Sequence, residues 1–189
     1  MKNFVINLLK DNLPPTYYYH NYKHTLYVID QALEIGLSEG CTPDELELIH
    51  TAALWHDTGY IRTYKNHEEE SCLLARGYLP GFGYSPEYVE KICSMIMATR
   101  IPQLPKNKLE EILADADLEY LGSDNFITKA DELFREMQSV NTKLTLDKWN
   151  ELQISFLGNH HYFTDFCKHH KEPKKQHHLQ QLLLATGKS

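Results

Sequence analysis

The chain has 189 residues, 42% of them hydrophobic, which is one domain's worth with enough apolar mass to bury a core without staples. A formal charge of −7 argues against a general nucleic-acid binder, whose phosphate contacts demand a basic face. The apolar runs are a few residues long, against the roughly 18 that a membrane span needs, so no transmembrane helix and no membrane partner are expected. The opening apolar run Phe4 to Leu9 is broken by Lys10 and Asp11 with no small-residue cleavage site after it, which predicts no secretory signal and a cytoplasmic protein. Cys41, Cys72, Cys93 and Cys167 are dispersed, with neither a disulfide framework nor a zinc-thiolate pattern among them.

The punctuation is helical from end to end. The spacing predicts helices over 2–10, 21–37, 43–57, 67–78, 86–99, 107–121, 124–139, 145–170 and 174–185, and period-2 alternation is nowhere sustained. Thr42-Pro43-Asp44-Glu45 is a capping box with proline at the first helical position, and Ser85-Pro86-Glu87 repeats the start signal. Proline and glycine mark the turns at Leu13-Pro14-Pro15, Leu79 to Gly83 and Ile101 to Pro105, and Lys171-Glu172-Pro173 is read as the end of the long penultimate helix. The expectation is an all-α fold in a single domain over 1–189. From Lys168 to Lys188 five lysines face Glu172 alone, either as a solvated helix face or as a fringe that attracts an anionic substrate.

Within these helices four residues carry the chemistry, in the order His24, His56-Asp57, then an aspartate of Ala114-Asp115-Ala116-Asp117. His24 shares a helical face with Val28 and Ala32, and His56 follows Ile49 and Ala52, so both imidazoles are expected to be buried. Adjacent helical residues point about 100° apart, so His56 and Asp57 can serve one metal only by converging from two angles. A lone histidine on an apolar face is ordinarily a core residue. Two of them beside a semi-buried carboxylate imply a cation, because buried carboxylates need one or several donors. Two nitrogens and two oxygens suit one divalent Mn, Fe, Co, Ni or Zn ion. On periodicity alone either Asp115 or Asp117 can reach inward.

These residues resemble the HD-domain superfamily of metal-dependent phosphohydrolases, named for the His-Asp pair. The resemblance covers about residues 17–165, leaving a helical extension over about 166–185. It is carried by Tyr19 to Thr25, Ala53 to Tyr60, His67 to Ser71, and Ile112 to Gly122. It implies His24, His56 and Asp57 as metal ligands and favours Asp115, with Tyr120 five positions on, as the fourth. Asp117 is the alternative, or an acceptor that orients a ligand histidine. The implied function is a phosphohydrolase that attacks a nucleotide, or a related phosphomonoester or phosphoanhydride, with a metal-activated water. His67 and Glu68, with Asp57, are the candidate catalytic residues; a plain reading makes His67 to Glu70 a solvated acidic first turn.

Two departures from the family pattern matter. Some members carry an acid three residues after the dyad, where this chain has Tyr60; that favours the alternative of a metal- and nucleotide-binding regulatory module with little turnover. Two-metal members add a histidine where this chain reads Ile96-Met97-Ala98-Thr99-Arg100, so one metal is expected, with Thr99 a hydroxyl contact. Arg62, Lys65 and Arg100 are either phosphate contacts or surface charges, and Tyr17, Tyr18, Tyr19 and Tyr22 either stack on a base or pack the rim. His160 is expected to border the pocket. The pairs His160-His161, His169-His170 and His177-His178 lack ligand spacing within one turn, so no second metal site is expected there.

Overall fold

The computed structural model describes residues 1–187, so Lys188, the last of the lysines counted above, lies outside the described residues. Ten α-helices follow one another: α1 Lys2–Asn12, α2 Tyr22–Ser38, α3 Pro43–Trp55, α4 His67–Tyr78, α5 Pro86–Ala98, α6 Lys108–Asp117, α7 Phe126–Val140, α8 Leu146–Asn159, α9 Asp165–His170 and α10 Glu172–Ala185. Short 3-10 turns occupy Thr58–Ile61, Leu79–Phe82 and Glu119–Gly122, and no strand occurs among the described residues. The all-α expectation holds. Helix starts follow their local chemistry: Thr42 and Glu45 close the capping box, Asn21 accepts from Lys23 N–H, and Asn107 accepts from Leu109 and Glu110 N–H.

Apolar faces then decide the packing. α2 lies on α3 and α6, and α5 lies on α3, α4 and α6. Val28, Ile49, Trp55, Ile92, Ile96 and Leu113 fill the core between them. A second apolar cluster, with Phe126, Trp149 and Leu157 among its members, joins α7 and α8 to the 3-10 turn after α6. The candidate site lies where the two clusters meet.

Three predicted helices are cut short or divided. The one expected over 43–57 ends at Trp55, leaving His56 and Asp57 in a turn, and the one over 107–121 ends at Asp117. The helix expected over 145–170 is two, α8 and α9, because His160 to Thr164 runs extended between them. The tertiary bonds explain this break. Tyr162 is buried, and its hydroxyl meets the carbonyls of Leu118 (3.1 Å) and Glu119 (3.2 Å). The N–H groups of Phe163 and Thr164 donate to Asp115 in place of helical carbonyls. Pro173 does not end a helix; it sits in the first turn of α10, where its missing N–H costs nothing.

The described lysines of the C-terminal segment all have acidic partners, two of them buried or half-buried and two on the surface. Lys171 pairs with buried Glu119, Lys174 with Asp124, and Lys168 with Asp165. Lys175 is fully buried, donating to the His160 carbonyl and pairing with Glu172 at 3.0 Å. Lys171 and Lys175 are thereby taken out of any exposed fringe, while Lys168 and Lys174 lie on the solvated helix face.

His160 consequently packs beside Phe156, Tyr162 and Lys175, away from the cavity it was expected to border. Burial, reinforced by the Lys175 ammonium, holds its pKa down at about 3. Its ordinary value is near 6.5, so the folded state binds fewer protons than the unfolded one. The resulting stability is present above about pH 6.5 and is lost as the pH falls toward 3. Urea unfolding at pH 7.5 and pH 5 should show a loss of up to about 1 kcal/mol per pH unit from this group, reduced in His160→Gln. Equal losses in variant and parent would show that His160 is not held neutral.

Candidate metal centre and its cavity

The helix end at Trp55 resolves the geometry of the dyad. His56 keeps helical backbone angles, whereas Asp57 leaves the helix at φ −103° and ψ 4° and turns its carboxylate back toward the imidazole. Nδ1 of His56 bonds the Ala53 carbonyl at 2.7 Å, which turns Nε2 toward Asp57 Oδ2, 3.2 Å away. Ser71 of α4 pins this turn, accepting from Gly59 N–H (2.8 Å) and donating to the His56 carbonyl (2.6 Å).

α2 and α6 bring in the remaining groups. His24 Nε2 lies 3.0 Å from Asp117 Oδ1 and 3.5 Å from Asp57 Oδ2, and His56 Nε2 lies 3.5 Å from Asp117 Oδ1. Ligand atoms of His24, His56 and Asp117 all fall within 4.8 Å of one another, and no other group of three or more metal-binding side chains converges so among the described residues. The paired histidines near the C-terminus form no such cluster; His178, for one, stacks on Phe126 and bonds the Leu121 carbonyl.

Asp115, the aspartate favoured by the resemblance, is turned away from this cluster. Both its oxygens accept from Phe163 N–H (2.9 and 3.1 Å), and Oδ2 also accepts from Thr164 N–H (2.8 Å) and the Thr164 hydroxyl (2.6 Å). Two residues along a helix is about 200° of rotation, so Asp115 and Asp117 cannot face one point. The geometry therefore brings in Asp117, and Asp115 ties α6 to the extended link before α9. The start signal Thr164-Asp165 was the one sequence cue: read as a helix cap, it frees the two N–H groups that Asp115 binds.

The donor set fits a cation. Burial opposes charge on Asp57, but neighbouring His56 outweighs it and holds the carboxyl well below the usual range; burial is likewise overcome at Asp117 by the hydrogen bond to His24 and the nearby His56 imidazole. For His56, burial is outweighed by Asp57 and Asp117, which push its pKa well above 6.5. Burial wins at His24 and lowers its pKa. Yet His56 Nε2 and Asp57 Oδ2 are buried without a hydrogen-bond partner. Buried polar atoms are ordinarily satisfied, and a divalent ion between two imidazoles and two carboxylates would satisfy both.

His67 and Glu68, at the start of α4, border this cluster. His67 Nε2 is 3.4 Å from Asp57 Oδ1, and its ring stacks on Tyr60 at 3.9 Å between centroids. Glu68 is buried and pairs with Arg100 Nε at 3.5 Å. Thr99 lines the same cavity, but its hydroxyl donates to the Ile96 carbonyl.

Sequence reasoning missed a second pair. Glu136 of α7 is fully buried, accepts from the N–H groups of Tyr19 and His20 at 2.9 Å each, and pairs with His20 Nδ1. Burial opposes charge on both partners, but their mutual attraction raises the His20 pKa and lowers that of Glu136. His20 Nε2 meets the Tyr60 hydroxyl at 3.1 Å. The spacing of four between His20 and His24 was a usable signal, whereas nothing local marks Glu136, 116 residues away. The expected cations do not reach the cavity: Arg62 pairs with Glu70, Arg100 also pairs with Glu69, and Lys65 is exposed. Among the aromatics, Tyr19 and Tyr60 line it, while Tyr22 lies under Lys10.

The cavity itself holds about 400 Å³ and runs from Asp57 and Asp117, past Tyr19 and Tyr120, to the gap between α7 and α8. No helix of the described residues is long and apolar enough to cross a membrane.

Comparison with known proteins gives this geometry a family. No functionally curated protein matches the chain. Two solved structures illustrate the fold it shares. A predicted HD superfamily hydrolase from an uncultured Thermotogales bacterium has 21% identity and a TM-score of 0.65, covering 97% of this chain and 91% of that one. Bacillus subtilis YpgQ in complex with ADP has 16% identity and a TM-score of 0.64, covering 98% and 97%. The model of the HD domain matches residues 21–119, more than half of the chain and the whole span from before His24 to after Asp117, so the chain belongs to the HD-domain superfamily.

Proposed function

We propose that this chain is a phosphohydrolase of small phosphorylated substrates that works with one divalent ion held by His24, His56, Asp57 and Asp117. The observation that carries the reading is the pair of orphaned buried atoms, His56 Nε2 and Asp57 Oδ2, at the head of an open cavity. A divalent ion in such a set offsets phosphate charge and makes a water acidic enough to attack phosphorus near neutral pH. The protein's own part is to orient and exclude. His67 is within reach of the reacting end and suits proton transfer to the leaving oxygen, with Glu68 as an acceptor that orients the water. Free N–H groups in the first turn of α4 favour a phosphate, although Glu68, Glu69 and Glu70 crowd the same turn. The likeness in fold to a protein with bound ADP supports a nucleotide as the first class to try.

One observation favours the regulatory alternative. Tyr60 stands where some relatives carry an acid, and its hydroxyl is engaged by His20. Metal analysis and phosphate release separate the two readings. With added manganese, cobalt or nickel, the tag-free parent should hold about one metal per chain and release phosphate from a nucleotide or monoester panel, both lost in Asp57→Ala. Metal without turnover supports the regulatory module, and absence of both sinks the metal site.

A further inference from the structure

We propose that the half of the cavity between α7 and α8 is a subsite for an apolar, aromatic-sized group, and that the preferred ligand is a phosphomonoester bearing such a group in preference to a nucleoside triphosphate. The proposal rests on the phosphohydrolase reading for what happens at the metal end, replaces the nucleotide named there as the first class with an apolar monoester, and can be tested by binding alone.

The walls change character along the cavity. Near Asp57 they are polar and ionisable; between α7 and α8 they are Phe126, Leu133, Met137, Trp149 and Phe156, with Leu121 from the preceding 3-10 turn. Gln153 is the one amide that the lining residues of those two helices contribute. A nucleobase and ribose buried here would leave several donors and acceptors unpaired, which costs more than apolar contact returns. An aromatic hydrocarbon loses nothing on entering and removes its surface from water. At about 400 Å³ the space is within the range of small-molecule sites.

Charge points the same way. No lysine or arginine is among the described residues that line the cavity. Arg100 is ion-paired with Glu68 and Glu69, although its buried Nη2 makes no hydrogen bond, Arg62 is paired with Glu70, and Arg135 of α7 lies over the Tyr18 ring. A triphosphate brings more negative charge than a monoester into a lining that supplies no lysine or arginine to offset it.

Calorimetry on the manganese-loaded full chain tests this with three probes: naphthylethylphosphonate, ethylphosphonate and a methylene-bridged ATP analogue. The naphthyl compound should bind at least about tenfold tighter than the ethyl compound, and tighter than the ATP analogue. Ala130→Trp, which fills the gap from α7, should cut the naphthyl-to-ethyl affinity ratio about tenfold. Leu152→Glu, at a half-open rim position where folding is not at stake, should lower it in the same direction. A ratio below tenfold in the parent, a tighter ATP analogue, or an unchanged ratio in both variants overturns the proposal. Naphthyl binding without phosphate release from naphthylethyl phosphate leaves the subsite standing and removes the enzyme reading, so the two failures are distinct.

Discussion

Asp117→Ala should abolish metal binding and cut phosphate release about 1000-fold or more, while Asp115→Ala should keep about one metal per chain and lose stability instead. The two residues lie one alanine apart, yet their surroundings assign them different work. Asp117 ends α6 with Oδ1 between the His24 and His56 imidazoles, and removing it takes an oxygen out of the ligand set. Asp115 accepts from two backbone N–H groups and a hydroxyl in a fully buried setting. Truncation leaves three donors without a partner at about 1–3 kcal/mol each, so a loss of about 3–5 kcal/mol is expected. Asp115→Asn keeps a carbonyl acceptor and should cost less. Elemental analysis and urea unfolding on both variants decide the matter; metal loss from a well-folded Asp115→Ala would reverse the assignment.

Gly59→Ala carries the second large effect. A Cβ at this position would sit 1.9 Å from the His67 carbonyl oxygen and 2.7 Å from Ser71 N, both backbone atoms of α4 that no side-chain rotation can move. The close approach is what lets Ser71 bridge Gly59 and His56, and it sets His67 against Asp57. Forcing α4 outward should cost about 3 kcal/mol or more, a fall in Tm of about 6–12 °C, and should lower phosphate release more than metal content. Gly77→Ala in the same helix, exposed and with open space around it, is the control: it should stabilise the protein by about 0.5–1 kcal/mol. Equal melting of the two variants would show that the contact is not a constraint.

Both predictions turn on where helices stop. The burial of His24 and His56 beside Asp57 was legible because residue type and periodicity are local: imidazoles four residues from alanine and valine lie on an apolar stripe that must face the core. The choice between Asp115 and Asp117 was not legible, since it depends on which side of α6 faces α2 and which faces the link Tyr162 to Thr164. Periodicity also ran the helices through 56–57, 118–121 and 160–164, because an apolar pattern continues past a break made by distant hydrogen bonds.

From the sequence alone came the helical class, the family resemblance, and the order His24, His56-Asp57, then an aspartate, all of which rest on local pattern and spacing. Tertiary structure decided which aspartate joins the cluster, the Glu136 clamp on His20, the burial of Lys175 and the apolar lining of the cavity between α7 and α8. Each of these is a contact between segments far apart in the chain, and no local propensity encodes which buried donor an acceptor will meet.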